Sequence, residues 1–363
     1  MTTSSLIALS FAIAAIPGTE TRTMDIRLAD LDGDGQAEII RAVEGGANEV
    51  LERSGGTWTP SSRFRFEEDG SDSEDIAIAD LNGDGWLDVV FANEDTMVQQ
   101  LYFNEGGTRL VPAHVNLVFE ARSNTVIAED FDGDGDADLA FGDSGPVVFL
   151  TNDGRGNFEV SREAHPNNSH AVQDLEAGDV DGDGDLDVIV ASEGTNRLLI
   201  NDGHGAFTPR NALLSALPRY EETREADFAD LDGDGDLDLY FANVGFRTQN
   251  PAGEPDRVLL NDGRGYFSPQ DRALPARTMH TLDIDFHDVD NDGDLDGVLA
   301  GSFGGGVWIL INDGTGQFTE GAQLAGSELD ALDTELMPDR LSVYVAGVRS
   351  ADAILALTPT ESP

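Results

Sequence analysis

Residues 179–187 read DVDGDGDLD, and the same nine-residue pattern recurs five more times along the chain. The other copies start at residues 30, 80, 130, 230 and 288 and read DLDGDGQAE, DLNGDGWLD, DFDGDGDAD, DLDGDGDLD and DVDNDGDLD. Successive copies are 50, 50, 49, 51 and 58 residues apart. A nearly fixed period in this range indicates a repeat architecture in which each repeat is one supersecondary unit.

A second motif follows each acidic loop and is typical of a tight turn. It reads NDGRGNF at 152–158, NDGHGAF at 201–207, NDGRGYF at 261–267 and NDGTGQF at 312–318, with weaker versions at 52–58 and 104–110. Because Asn and Gly tolerate a positive φ, Asn-Asp-Gly between apolar runs predicts a hairpin turn. The intervening segments, such as 188–191 and 237–242, are short and rich in β-branched or aromatic residues, which predicts strands. Each repeat is therefore expected to supply about four strands.

Such a four-stranded unit cannot bury both of its faces alone. Radial packing of the units buries them against one another and leaves only short, protected edges. The sequence therefore predicts an all-β fold, a seven-bladed β-propeller of four-stranded blades, in a single domain over residues 1–363. The blade repeats are expected to start near residues 24, 74, 124, 172, 223, 281 and 327. An open solenoid is the alternative.

The two ends of the chain favour a closed ring. After residue 318 come three strand-like segments, 327–336, 341–347 and 353–357, which carry no acidic loop. Residues 11–17 (FAIAAIP) resemble the fourth-strand segment 213–218 (LLSALP), so residues 5–17 are expected to be the closing strand of blade seven. The rival hypothesis is a targeting segment, because residues 6–16 are apolar, although the positively charged region that a signal peptide needs is not visible.

The acidic loops have the oxygen spacing of a calcium site. In D-x-D-G-D-G-x-x-D, the side chains at positions 1, 3 and 5 converge when the backbone curls, and position 6 is Gly in all six copies. Position 7 offers its backbone carbonyl, so its side chain is free to vary, and position 9 supplies a carboxylate. About six or seven oxygens result, which suits Ca²⁺, whereas zinc prefers nitrogen or sulfur and magnesium demands stricter octahedral geometry.

We therefore expect about six Ca²⁺ ions, one in each loop. A single Asp-Gly run would be taken for a solvated turn, but six copies in register disfavour that interpretation. The predicted metal ligands occupy positions 1, 3, 5, 7 and 9 of the loops: Asp30, Asp32, Asp34, Gln36 and Glu38; Asp80, Asn82, Asp84, Trp86 and Asp88; Asp130, Asp132, Asp134, Asp136 and Asp138; Asp179, Asp181, Asp183, Asp185 and Asp187; Asp230, Asp232, Asp234, Asp236 and Asp238; Asp288, Asp290, Asp292, Asp294 and Asp296.

The composition excludes several classes of function. The chain has 363 residues, 70 of them Asp or Glu and 21 Lys or Arg, and a formal charge of −49, so it is poorly suited to binding nucleic acid through basic patches. It contains no Cys and no Lys, which excludes disulfides, thiolate metal sites and Schiff-base lysines. No long apolar run predicts membrane insertion. The loops hold 27 acidic residues, and the other 43 are expected to form an ordinary acidic surface.

The repeats resemble the FG-GAP/VCBS repeats of integrin alpha-chain propellers and of many bacterial extracellular proteins, over about residues 5–358. The resemblance implies a seven-bladed propeller with calcium between the first two strands of each blade, bound through the five loop positions given above. Asn82 replaces Asp in the second loop, Glu38 ends the first, and the seventh repeat has no acidic loop.

Strands alternate in direction within a blade, so the acidic loops and the NDG turns are expected on one face. The opposite face carries the irregular connections, where propellers commonly hold ligands. The predicted ligand-binding residues there are His170, Tyr220, Arg224, Arg277 and His280. Phe246 and Phe303 are among the few aromatic residues on that face that suit sugar stacking. Solvated loop positions are the alternative interpretation of all these residues.

These features predict a calcium-stabilised, extracellular or cell-surface module (secreted or periplasmic) that binds a protein or carbohydrate ligand or mediates adhesion. Open Asp loops fill at millimolar calcium rather than at submicromolar cytosolic levels. The alternative is a polysaccharide-active, lyase-like enzyme in which a His or Tyr base abstracts a proton and Arg neutralises a sugar carboxylate. A purely structural scaffold within a larger secreted protein is the third hypothesis.

Overall fold

The protein, analysed as a computed structural model, is an all-β propeller of seven four-stranded antiparallel sheets. The structure describes residues 9–16, 22–66, 71–95, 98–113, 122–143, 147–161, 170–214, 221–246, 250, 252–270, 272–276, 278–303, 305–325, 331–337, 342–347 and 352–359. Within these residues the helical segment is a short 3₁₀ turn, Asn211–Leu214, and no helix there is long and apolar enough to cross a membrane.

The strands of each sheet follow one another along the chain, except for β1 (Leu9–Ala15), which joins blade seven. Blades one to three are β2 (Thr23–Ala29), β3 (Glu38–Val43), β4 (Glu49–Ser54), β5 (Thr57–Arg65); β6 (Ser73–Ala79), β7 (Asp88–Asn93), β8 (Gln100–Asn104), β9 (Leu110–Pro112); and β10 (Ser123–Glu129), β11 (Asp138–Asp143), β12 (Val148–Asn152), β13 (Phe158–Val160).

The remaining blades have the same order of strands. They are β14 (Val172–Gly178), β15 (Asp187–Ser192), β16 (Arg197–Ile200), β17 (Thr208–Pro209); β18 (Glu222–Ala229), β19 (Asp238–Val244), β20 (Arg257–Leu260), β21 (Ser268–Pro269); β22 (His280–His287), β23 (Asp296–Ser302), β24 (Gly306–Asn312), β25 (Phe318–Ala325); and β26 (Ala331–Leu336), β27 (Ser342–Gly347), β28 (Ala353–Pro359) with β1.

The second strand of each blade is short and mostly apolar because both of its faces are covered. Every residue of β3, β7, β15, β19 and β23 is buried. A run of this kind is typical of a strand buried on both sides, whereas a half-exposed strand alternates. The blades therefore stand with both faces against their neighbours.

Seven apolar clusters fill the seven interfaces between adjacent blades. Phe91 and Tyr102 of blade two pack with Ile40 of blade one, for example. Corresponding clusters join blades two to three, three to four, four to five, five to six and six to seven. The last cluster packs Tyr344 of blade seven against Ile26 of blade one, so the ring is continuous.

The N-terminal strand completes blade seven, which confirms the prediction of a ring closed by the start of the chain. β1 pairs with β28 antiparallel, with Leu9 opposite Pro359 and Ala15 opposite Ala353. Within the predicted closing segment 5–17, residues 5–8 and 17 lie outside the described part of the chain. Residues 327–330 and 341, at the predicted starts of two strands of blade seven, also lie outside it.

A buried ion pair also joins blade seven to blade one. Asp352 precedes β28 and lies 2.7 Å from Nε of Arg41 on β3, and both side chains are fully buried. The hydroxyls of Thr23 and Tyr344 donate to the same carboxylate, at 3.0 and 2.7 Å. Hydrogen bonds around a buried ion pair satisfy the remaining polar atoms, without which its desolvation would be costly.

We expect Asp352→Asn to lower the free energy of unfolding by about 3–5 kcal/mol, because it leaves the Arg41 charge buried with reduced compensation. Urea denaturation measures this loss. The matched control is Arg109→Ala, which breaks an exposed ion pair with Glu105 and should cost at most about 1 kcal/mol. Equal losses in the two variants would contradict the closing role of Asp352.

Candidate functional site

Each acidic loop curls around the side chain at its first position. In the fourth loop, Oδ1 of Asp179 accepts hydrogen bonds from the backbone N–H groups of Gly182 at 2.8 Å and Asp183 at 3.2 Å. Its Oδ2 accepts the N–H of Gly184 at 3.0 Å. Bonds of this kind recur in the other five loops. The first Asp therefore organises the loop backbone and faces its interior.

Positions 4 and 6 of the loop require the left-handed region of φ. In the fourth loop, Gly182 has φ of 77° and Gly184 of 95°. In the sixth loop position 4 is Asn291, with φ of 63°. Asn is one of the few residues with a side chain that visits this region routinely, so the DVDNDGDLD copy keeps the same curl.

The acidic oxygens converge as a hard cation requires. In the fourth loop, one oxygen each from Asp179, Asp181 and Asp187 lie within 4.8 Å of one another. Similar groups form in the first, third and fifth loops. Oδ1 of Asp181 is buried with no hydrogen-bond partner, and so is Oδ1 of Asp232 at the same position of the fifth loop. An orphaned carboxylate oxygen at a predicted ligand position fits calcium, which takes oxygen ligands.

The side chain at position 7 covers the NDG turn of its own blade. A Cβ atom added at Gly203 would lie 2.5 Å from Oδ2 of Asp185, and one at Gly107 would lie 2.4 Å from the ring of Trp86. The turn therefore needs glycine there for space as well as for conformation. This placement is compatible with the prediction that the backbone carbonyl of position 7 binds calcium. The side chain at position 7 is, however, less free to vary than the sequence suggested, because it packs over the turn.

The carboxylate at position 9 is buried and holds two backbone segments. Oδ2 of Asp187 accepts the N–H of Val180 in its own loop at 3.3 Å, and Oδ1 accepts the N–H of Asn201 in the NDG turn at 2.9 Å. Burial raises the pKa of Asp187 to about 7, against the opposing effect of these two hydrogen bonds. Burial likewise raises the pKa of Glu38 and Asp88 to about 7.

The Asn of each NDG turn links two blades. Nδ2 of Asn201 in blade four donates to the carbonyl of Phe131 in the loop of blade three at 2.8 Å, and to Leu186 O in its own loop at 3.1 Å. Equivalent bonds of 2.8 Å to the preceding blade are made by Asn104, Asn152, Asn261 and Asn312. Five of the seven blade interfaces therefore contain the same hydrogen bond from an Asn side chain to a backbone carbonyl of the preceding blade. Of the two residue types predicted to adopt positive φ in these turns, the glycines do so, whereas the Asn residues do not.

The opposite face carries an aromatic cluster at the junction of blades five and six. The ring of His280 stacks on Phe246 at 4.8 Å between centroids, and Phe303 meets both rings edge-on at 5.3–5.4 Å. The guanidinium of Arg224 lies 5.2 Å from the centroid of Phe246. Burial lowers the pKa of His280, whose Nδ1 accepts the N–H of Gly245 at 3.2 Å.

The structure brings together two of the five predicted ligand-binding residues, Arg224 and His280, through Phe246. His170 lies one blade away, where its ring occupies the space above Gly194. Gly194 follows Glu193, whose carboxylate is 3.5 Å from Arg224. Tyr220 and Arg277 lie outside the described residues.

The central channel contains acidic residues that the sequence analysis wrongly assigned to an ordinary acidic surface. They come from the innermost strands, which carry no metal motif. Ten carboxyl side chains alternate along these strands: Asp25, Asp75, Asp174, Glu176, Glu225, Asp227, Asp283, Asp285, Asp333 and Glu335. Burial and mutual repulsion raise the pKa of Asp227 to about 8. The signal in the sequence is the acidic residue five positions before each loop, present in five of the six loop-bearing repeats.

Comparison with known proteins supports the repeat assignment. The family model described as FG-GAP-like repeat matches residues 30–91, 130–190 and 179–241. These matches contain the first five acidic loops, although the model matches less than half of the chain. No curated protein matches the chain by sequence.

Solved structures share the fold at low sequence identity. A lectin from Agrocybe aegerita that recognises non-reducing terminal N-acetylglucosamine has a TM-score of 0.57 and 18% identity, covering 94% of this chain and 87% of that one. BBS1N, solved in complex with ARL6DN, has a TM-score of 0.62 and 13% identity and covers 99% of both chains. YCF48 bound to D1 peptide has a TM-score of 0.60 and 12% identity, covering 99% of this chain and 100% of that one.

We expect Asn201→Ala to lower the free energy of unfolding by about 1–3 kcal/mol, because the buried carbonyl of Phe131 loses its donor. Urea denaturation measures the change. Asn157→Ala is the control, since Asn157 is exposed and its side chain bonds only within its own turn, to Asp153. A loss below about 0.5 kcal/mol for Asn201→Ala would show that the hydrogen bond from Asn201 to Phe131 does not stabilise the folded protein.

Proposed function

The chain is an FG-GAP-repeat β-propeller, and on that premise we propose that it is a calcium-stabilised extracellular module that binds a carbohydrate ligand. The ligand-binding face is the one opposite the acidic loops, at the junction of blades five and six. The calcium ions have a structural role, because they neutralise the loops at the far end of the blades. Six divalent ions would change the formal charge from −49 to −37.

The calcium proposal rests on the chemistry of the donor set. Convergent carboxylates in one loop repel one another strongly at short distance. In the fourth loop, this repulsion adds to burial and raises the pKa of Asp181. Asp179, Asp181, Asp183 and Asp187 would bind the ion through side-chain oxygens, together with the backbone carbonyl of Asp185. The bound cation would supply charge neutralisation and fix the curl of the loop.

The observation that carries the ligand proposal is the exposure of Phe303. Its side chain is 68% exposed, although it belongs to an aromatic cluster, and its φ is 52°. A non-glycine residue in this region costs free energy and is enriched at functional sites. An exposed ring offers an apolar face on which the C–H groups of a sugar can stack, while Arg224 supplies a charged donor at the edge of the cluster.

A cavity of about 550 Å³ lies between blades five and six, and its lining does not include Arg224, Phe246, His280 or Phe303. Its lining includes Met279, which directly precedes His280, and the polar side chains of Asp256, Arg257 and Arg272. Clefts of this volume with a few convergent polar groups are typical ligand sites. We treat it as a second candidate pocket at the same blade junction, separate from the aromatic cluster.

Chelation with EDTA should lower the melting temperature, because ions that bind only the folded state stabilise it by mass action, by about 2.7 kcal/mol for a site at 100 times its Kd. Differential scanning calorimetry measures the shift. Restoring millimolar calcium should restore the melting temperature. An identical melting temperature with and without EDTA would contradict the calcium proposal.

Asp183→Ala should reduce the bound calcium by one ion per chain, because it removes one ligand from the fourth loop. Equilibrium dialysis followed by elemental analysis gives the stoichiometry. Asp262→Ala is the matched control, since Asp262 is an exposed carboxylate of an NDG turn at the same end of the molecule. Its stoichiometry should equal that of the wild type. If both variants or neither lose an ion, the ligand assignment is wrong.

A glycan array should identify a bound carbohydrate, and Phe303→Ala should weaken its binding about tenfold or more, which corresponds to at least about 1.4 kcal/mol. Tyr266→Ala is the matched control: its side chain is 57% exposed but lies in an NDG turn on the opposite face. If Tyr266→Ala loses binding and Phe303→Ala does not, the ligand site lies on the face that carries the acidic loops. Release of unsaturated uronate products would instead support the lyase alternative.

A further inference from the structure

The cavity between blades five and six is large enough for a small organic ligand. Its walls come from β19, β20, β23 and β24 and from the connection 270–279, which joins β21 to β22. Its volume of about 550 Å³ lies within the range of about 300–1,000 Å³ that is typical of small-molecule sites. None of its lining residues belongs to an acidic loop or to the aromatic cluster.

Backbone contacts hold the connection 270–279 against both blades. The N–H of Gln270 donates to the carbonyl oxygen of Val258 in blade five at 2.9 Å. The carbonyl oxygen of Ala273 accepts the N–H of Phe318 in blade six at 2.6 Å. An isolated antiparallel bridge joins Met279 to Glu254. The wall is therefore formed by the protein itself, without help from a ligand.

The inner wall of the cavity is mainly apolar. Val258, Leu299 and Leu310 line it from the strands and are buried, and Leu274 and Met279 line it from the connection. Such a wall gains free energy when an apolar group displaces water from it. A sugar would leave hydroxyl groups without partners against the same wall, which is costly. The wall therefore favours a ligand with an apolar body over a carbohydrate.

The one carboxylate in the wall already has its donors. Oδ1 of Asp256 accepts the N–H of Asn243 at 2.8 Å. Its Oδ2 accepts the hydroxyls of Tyr240 at 3.0 Å and of Thr281 at 2.8 Å. Asp256 is thus engaged in joining β19, β20 and β22, and it does not call for a cationic ligand.

The two arginines in the wall favour an anionic group on the ligand. Arg257 forms an ion pair with Glu221 through its Nε. Arg272 is exposed, and among the described residues no carboxylate pairs with it. The guanidinium of Arg272 therefore offers an uncompensated positive charge at the mouth of an apolar cavity, in a chain whose formal charge is −49. A guanidinium binds a carboxylate through two parallel hydrogen bonds.

We propose that this cavity binds a small amphipathic carboxylate. The apolar body of the ligand packs against Leu299 and Leu310, and its carboxylate pairs with Arg272 at the mouth. The net charge of the chain repels anions at long range, so the contact with Arg272 has to be local and direct. The ligand class and the position both differ from those of the carbohydrate site at Phe303.

Isothermal titration calorimetry on the full chain, with decanoate and decanol as probes, tests the proposal. The two probes share one alkyl chain and differ in the charge of the head group. We expect one decanoate to bind per chain, and decanol to bind at least tenfold more weakly because it cannot pair with Arg272. Absence of decanoate binding, or equal affinities for the two probes, would overturn the proposal.

Variants of exposed residues separate the cavity from the rest of the surface. Arg272→Gln should weaken decanoate at least tenfold and leave decanol nearly unchanged. Arg264→Gln is the matched control, because Arg264 is an exposed arginine of an NDG turn on the opposite face, and it should bind decanoate like the wild type. Equal effects of the two substitutions would contradict the role of Arg272. Ala276→Trp places a large side chain at an exposed position of the lining and should abolish binding of both probes.

The location is tested with crystals soaked in a bromine-substituted decanoate, whose anomalous signal should lie in the cavity. A bromine peak elsewhere, or retained decanoate binding in Ala276→Trp, would overturn the assignment. Glycan binding is measured separately with Phe303→Ala, so failure of the carbohydrate site and failure of the carboxylate site are distinguishable.

Discussion

The buried carboxylate at position 9 of each acidic loop is the interaction on which the ring depends. In the fourth loop, one oxygen of Asp187 holds the loop and the other holds the N–H of Asn201, and the amide of Asn201 then reaches blade three. A residue that the sequence suggests as a metal ligand is therefore also the anchor of the contact between blades. If the loops bind calcium as proposed, metal binding and blade packing are coupled, because both act on the same carboxylate.

Acidic side chains occupy three environments with different physical consequences. In the loops they converge on a small volume that suits a divalent cation. In the channel they accept backbone hydrogen bonds from the next blade, while burial raises their pKa values, as for Asp174 and Asp227. Elsewhere they are exposed and contribute to the net charge. The same residue type thus forms convergent oxygen clusters, joins blades or faces solvent, according to its place in the repeat.

The two faces of the propeller differ in how strongly the repeat constrains them. The loop face repeats one geometry six times, and its turns contact the loops of neighbouring blades: a Cβ atom at Gly83 would lie 2.8 Å from the carbonyl oxygen of Gly154. The opposite face has connections of unequal length. Its aromatic cluster, of which Phe303 is exposed, arises where blades five and six meet, so it is not part of the repeated geometry.

The sequence by itself determined the repeat, the number of blades and the closing strand, because period and turn chemistry are local properties of the chain. It also predicted that the acidic loops and NDG turns share one face. It could not show that Asn201 bonds to Phe131, which is 70 residues away, nor that acidic residues from six different strands meet in one channel. Only the closed tertiary structure decided these contacts, because ring closure brings equivalent positions of distant repeats within hydrogen-bonding distance. Likewise, Arg224, Phe246, His280 and Phe303 became one cluster only when blades five and six packed together.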